Sequence, residues 1–208
     1  MSLTTTLDPL TAWQRLCSAN KRFAVPADAR RRGLIEEQPT AVVFRCSDAG
    51  LAGEAVFGQS WGSLIDVSTW GHVIDSGVLA SLEYAVGRRE VPLIVVLGHH
   101  DCHAMRAAMR AWNEADMPTD ATRATVEQAI TSMVRRGTRA DSLESVSSAH
   151  LVETGLALLE RSPVIARRVD SGECAIVCAA AEHGTGRLRV YATIGSVGEV
   201  DDSLLECI

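Results

Sequence analysis

Two short stretches concentrate the groups able to do chemistry. Residues 41–53, AVVFRCSDAGLAG, end an apolar run in Cys46-Ser47-Asp48. The stretch VPLIVVLGHHDC ends another in His99-His100-Asp101-Cys102. Thiolate, imidazole and carboxylate are the groups from which tetrahedral zinc sites are drawn. His99 and Cys102, spaced H-x-x-C, bracket the turn from a strand into a helix, so both can face one ion. If the two strands are neighbours, Cys46 joins them, and Asp48 comes within reach of the same ion. A set of two cysteines and one histidine keeps a fourth position for water or a carboxylate, the catalytic rather than the structural arrangement. Taken singly, each residue has a blander reading: Cys46 as a small buried hydrophobe, His99 as a hydrogen-bonded loop histidine. Together, at two strand ends, they favour a metal.

Those groups need a scaffold, and composition bounds it. The chain has 208 residues, 47% hydrophobic and 22% charged, enough for one domain over 1–208 with a substantial core. A net charge of −6 argues against nucleic acid as a partner, since phosphate neutralisation needs clustered Lys and Arg. No segment has the continuous apolar length of a membrane span, and MSLTTTLDPL lacks a basic and apolar leader. The expected location is the cytoplasm, where the six cysteines read as thiols or metal ligands before disulfides.

Along the chain, residues 9–23 have a helical rhythm and start an N-terminal helical arm, 1–38. Short apolar runs over 40–44, 63–69, 92–98 and 174–181 predict buried strands. Helical spacing covers 76–86, 104–112, 121–136 and 143–160. Ser162-Pro163 reads as a cap with a first-turn proline for one more helix. EHGTGR then LRVYATIG predicts a hairpin with an antiparallel edge strand. The alternation predicts an α/β domain: a mainly parallel sheet flanked by helices, with functional groups at the C-terminal ends of the strands. His72, Cys174 and Cys178 read as structural residues. His100 and Asp101 read as exposed loop residues, with ligand orientation as the alternative for Asp101.

Cys46-x-Asp48, followed by GHVIDSGVLASLEYAV and then PLIVVLGH-x-x-C, closely resembles the β-class carbonic anhydrases. The resemblance covers most of the chain, from AWQRLCSANKRF to IVCAAAEHGTGRLRV. It implies the β-carbonic-anhydrase fold and Zn²⁺ held by Cys46, His99 and Cys102. It also implies a homodimer or higher homo-oligomer whose interface helps build the site, and the hydration of CO₂ to bicarbonate.

The departures from that family are as informative. Its pattern after the first cysteine is C-x-D-(S/A)-R, and Gly50 stands here for the arginine. That arginine pairs with the aspartate and holds it off the metal. Opposite charges a few ångströms apart are worth roughly 4 kcal/mol at an effective dielectric of 20, so its loss shifts Asp48 toward the fourth zinc position. In the family's V-x-R-x-A-G segment, Ser68 replaces the arginine and Trp70 the small residue. His103 replaces the glycine after the second zinc cysteine and adds an acid–base group. Asp48 and His103 are thus the candidate catalytic residues, with Gly50 and Trp70 shaping the substrate pocket. Three functions fit: a zinc hydro-lyase or hydrolase acting on another small electrophile with weak or absent CO₂ hydration, a silent zinc-binding scaffold or regulatory dimer, or a working carbonic anhydrase.

Overall fold

In the computed structural model the chain divides into two compact units, Met1–Ile35 and Glu36–Ile208. The structure describes residues 39–50, 52–59, 61–182 and 187–197, all within the second unit. The expected helical arm over 1–38, including the helix over 9–23, lies outside the described residues.

Five strands form one sheet: β1 (Ala41–Cys46), β2 (Leu64–Thr69), β3 (Leu93–His99), β4 (Ala175–Ala181) and β5 (Leu188–Ile194). Their order is β2-β1-β3-β4-β5. β1 pairs in parallel with β2 and β3, and β3 with β4; β5 alone runs antiparallel, against β4. The two strands that end at the candidate ligands, AVVFRC and LIVVLGH, are the most buried of the five. Both are buried almost throughout, as central strands covered on both faces must be.

The helices are α1 (Gly53–Phe57), α2 (Ser76–Glu83), α3 (His103–Glu114), α4 (Arg123–Arg136), α5 (Leu143–Arg161) and α6 (Pro163–Asp170). Local chemistry sets their starts. The Asp75 carboxylate accepts from the Val78 N–H at 2.8 Å and opens α2. Ser142 and Ser145 form a reciprocal capping box at α5. Ser162 caps α6 with Pro163 in its first turn, as the sequence predicted.

One core cluster joins Val42, Phe44, Ile94, Val96, Leu151 and Ile176. Cys178, and Cys174 just before β4, belong to it, in line with their structural reading. A second cluster lies under the candidate site and holds Cys46, Cys102, Ala104, Met105, Val126 and Met133. The parallel register Arg45↔Leu97 sets the C-terminal ends of β1 and β3 side by side. That adjacency, which the metal reading required, brings the two motifs together.

Candidate metal centre

Each element delivers one part of the centre. β1 ends in Cys46, which is fully buried, and the turn after it returns Asp48 toward the strand. β3 ends in His99. Its Nδ1–H donates to the His100 carbonyl at 2.9 Å, so the bond fixes the tautomer and leaves Nε2 as the ligand atom. Cys102 stands at the N-cap of α3 with extended backbone angles, its side chain buried.

The four side chains converge. One ligand atom from each of Cys46, Asp48, His99 and Cys102 lies within 4.8 Å of the others. The Cys46 and Cys102 sulfurs are 3.8 Å apart. Two sulfurs at about 2.3 Å from a tetrahedral zinc stand about 3.8 Å from each other, so the pair is already spaced for the ion. Asp48 Oδ1 lies 2.6 Å from His99 Nε2, 2.7 Å from Cys46 Sγ and 3.9 Å from Cys102 Sγ. Two thiols, an imidazole nitrogen and a carboxylate oxygen are a donor set that fits Zn²⁺.

The other carboxylate oxygen, Oδ2, is held from outside. It accepts from the His103 backbone N–H at 3.1 Å, and His103 Nδ1 lies 3.2 Å from it. His103 opens α3, so its N–H is one of the free donors at a helix N-terminus. Asp48 therefore points one oxygen at the ligand set and the other at α3. Gly50 has φ +71°, and a Cβ built there meets nothing within 4 Å.

Charge follows this geometry. Burial works against ionisation of Asp48, yet the Cys46 hydrogen bond, the His99 charge and the His103 N–H together hold its carboxyl below the usual range. Of the thiols, Cys102 is pulled down by the hydrogen bond from Cys46, against burial and with help from the Met105 and Ala104 N–H groups. Cys46 is pushed far up by its hydrogen bond with Cys102 and by burial. Of the two, Cys102 is therefore the thiol that ionises first. Burial pulls His99 down, but Cys46 and Asp48 outweigh it and raise it.

The remaining predicted residues fall as follows. Trp70 is half-buried and packs against the cluster containing Cys46 and Cys102. Ser68 is exposed on β2. His72 is buried with its Nε2 3.0 Å from the Leu97 carbonyl, a structural role as expected. Asp101 does not orient a ligand: it pairs with Arg106, one turn into α3, and a backbone carbonyl performs that task for His99. The reason is local, since Asp101 sits at φ +62° with its side chain half exposed.

The sequence reading missed one contributor: the Gly71 backbone N–H, which donates to Cys46 Sγ at 3.1 Å. A backbone donor leaves no side-chain signature. Beside His99 opens a cleft of about 510 Å³, lined among others by Glu144, Ser147, Arg189 and Tyr191.

Comparison with known proteins agrees with this geometry. Residues 41–188 match the family model described as carbonic anhydrase. The chain is 40% identical over 203 residues to carbonic anhydrase 2 of Mycobacterium tuberculosis, covering 92% of this chain and 97% of that one. It is 38% identical over 203 residues to a carbonic anhydrase of Mycolicibacterium smegmatis, covering 93% and 98%. Among solved structures, a tetrameric β-carbonic anhydrase of Sordaria macrospora superposes with a TM-score of 0.68 at 19% identity, over 86% of this chain and 96% of that one.

Proposed function

This chain belongs to the β-class carbonic anhydrase family, a family of zinc enzymes, and from that premise we propose that it is a zinc-dependent lyase of carbonic anhydrase type whose active site is altered. It acts on a small electrophile, with weak or absent hydration of CO₂. The observation that carries this reading is the position of Asp48. Its Oδ1 lies among the other three ligand atoms while its Oδ2 is tied to His103, in a chain with Gly50 where the family has arginine.

Zinc, when bound, supplies Lewis acidity and makes a coordinated water more acidic. Cys46, His99 and Cys102 would hold it, with Asp48 as the fourth ligand. The Gly71 N–H and the His100 carbonyl orient Cys46 and His99. With Asp48 among the residues that would hold the ion, a water or substrate oxygen would have to compete with its carboxylate. His103 acts on that competition: its N–H and Nδ1 hold Oδ2, and its exposed imidazole can move a proton at the mouth. Gly50 leaves space beside Asp48, and Trp70 packs against the apolar cluster that holds Cys46 and Cys102.

A second reading rests on the same observation. Four protein ligands are the arrangement of a structural zinc site, so a silent scaffold or regulatory dimer also fits. The third reading, a working carbonic anhydrase, draws support from relatives of that name at 38–40% identity. Stopped-flow CO₂ hydration with parallel zinc analysis separates them. Stoichiometric zinc with weak or no turnover supports the first two readings, and robust zinc-dependent turnover overturns them. A panel of small esters and other electrophiles then divides enzyme from scaffold.

The proposal takes the whole chain as one zinc domain with an N-terminal arm, working as a homodimer or higher homo-oligomer in the cytoplasm. The position of β2 at one edge of the described sheet and the free thiols of the described cysteines fit that setting. Among the described residues no helix is long and apolar enough to cross a membrane.

A further inference from the structure

The Gly71 N–H reaches Cys46 only because the chain turns the wrong way twice. Gly71 has φ 65° and ψ 30°, and His72 follows at φ 57°. Left-handed geometry at a histidine persists only where surrounding contacts impose it. At Gly71 a Cβ would press on Thr125 of α4 and lie 2.7 Å from Ala104 Cβ of α3, so the turn is wedged between two helices.

Three hydrogen bonds fasten it. His72 Nε2 donates to the Leu97 carbonyl at 3.0 Å. Gln128 Nε2 donates to the His72 carbonyl at 3.4 Å. His150, from α5, places Nε2 2.8 Å from the Gly71 carbonyl. His150 is 1% exposed, and burial pulls its pKa down, so the ring is neutral and carries one proton. A carbonyl can only accept, so that proton sits on Nε2. Nδ1 faces the Ser132 hydroxyl, 3.0 Å away, whose single proton is shared between Nδ1 and the Gln128 carbonyl, also 3.0 Å away.

We infer that His150 is a positioning residue for the metal centre: by holding the Gly71 carbonyl it keeps the left-handed Gly71–His72 turn that presents the Gly71 N–H to Cys46 Sγ. The inference rests on the reading of Cys46 as a metal ligand. A hydrogen bond to a thiolate favours the ionised, metal-binding form and fixes the direction of the sulfur. Removing its support weakens the metal without touching a ligand.

The test uses cobalt(II) in place of zinc, read by the near-ultraviolet thiolate-to-cobalt band and by competition with a chromophoric chelator. His150→Leu removes the donor and is expected to lower cobalt affinity roughly 10–100-fold and to shift the band. His150→Gln carries an amide N–H at the position of Nε2 and restores most of both. Ser132→Ala removes the hydroxyl against Nδ1, loosens the ring and gives an intermediate loss. A folded His150→Leu protein with wild-type affinity and band overturns the inference, as does an equal loss in the Leu and Gln variants. If His150→Leu does not fold, Ser132→Ala decides, and wild-type cobalt binding there overturns it. A wild-type chain that takes up no cobalt overturns the metal site itself, and this inference with it.

Discussion

At the scale of single residues, the balance at Asp48 governs the chemistry. In the family pattern an arginine holds this carboxylate away from the metal. Here Gly50 provides no charge, and His103 instead steadies Oδ2 while Oδ1 faces the ligands. The two His103 contacts are not equal. The backbone N–H is fixed at the start of α3, whereas the side chain is 74% exposed, so its bond to Oδ2 adds little in water. Replacing His103 with glycine alone should therefore change CO₂ hydration only a few-fold, a difference of about 1 kcal/mol. Combining it with Gly50→Arg should raise hydration at least about tenfold while zinc stays bound, since a restored ion pair is worth more than the factor of ten that 1.4 kcal/mol represents. The space at Gly50 is open, but its φ of +71° makes any side chain there cost about 1 kcal/mol. Stopped-flow turnover with zinc analysis checks the pair; no gain in the double variant sinks the arginine explanation.

Another residue sets the acid limit of the fold. Burial pushes His72 down to about 3. The unfolded chain takes up this proton near pH 6.5 and the folded chain does not. Stability is thus complete above pH 6.5 and falls below it, by about 1.4 kcal/mol per pH unit for this group. Denaturant midpoints of chelator-treated protein at pH 7 and pH 5 should show the fall, and His72→Asn, which tolerates the left-handed backbone, should flatten it. An unchanged slope in that variant would contradict the assignment. The metal ligands were legible in the sequence because C-x-D and H-x-x-C carry their own chemistry. The supports were not: a glycine N–H, a carbonyl at His100 and a histidine on a later helix have no local motif.

At the scale of elements, α5 is the member that ties sheet to site. Its Gly155 lets the helix settle against β4, where a Cβ would lie 2.6 Å from Cys178 Sγ. One helical turn earlier its Leu151 packs in the main core, and beside that its His150 reaches the Gly71 turn. Gly155→Ala therefore overpacks the contact, with an expected loss of about 1–3 kcal/mol. Because the helix must lift or tilt, zinc affinity should fall along with the denaturation midpoint. Unfolding curves with a chelator competition measure both, and a neutral Gly155→Ala would mean that α5 packs elsewhere.

The strands and most helices were readable from apolar runs and 3.6-residue spacing, and the caps at Ser142 and Ser162 from their side chains. Strand order was not readable in the same way. Periodicity says which face is buried, but the adjacency of β1 and β3 comes from how the helices cross over the sheet.

At the scale of the whole molecule, the metal is part of the fold's stability. Cys46 and Cys102 are buried beside an ionised Asp48, and zinc would take the place of thiol protons with a charge that satisfies all three. Free zinc at a thousand times its dissociation constant adds about 4 kcal/mol to the folded state. Thermal denaturation with and without chelator should show a large drop in Tm on stripping, and an unchanged Tm would deny the ion a structural share. The place of β2 at an edge of the described sheet leads to a second expectation. Light scattering should give a mass of at least twice the 22.3 kDa of one chain. A monomer would contradict the homo-oligomer proposed above.

The central claim is that Asp48, freed from an arginine, completes the zinc site. A crystal structure of the zinc-loaded protein near pH 7 tests it most directly. The account predicts Asp48 Oδ1 about 2.0–2.2 Å from zinc, beside Cys46, His99 and Cys102. A water in the fourth position, with Asp48 turned away and bonded elsewhere, would contradict it.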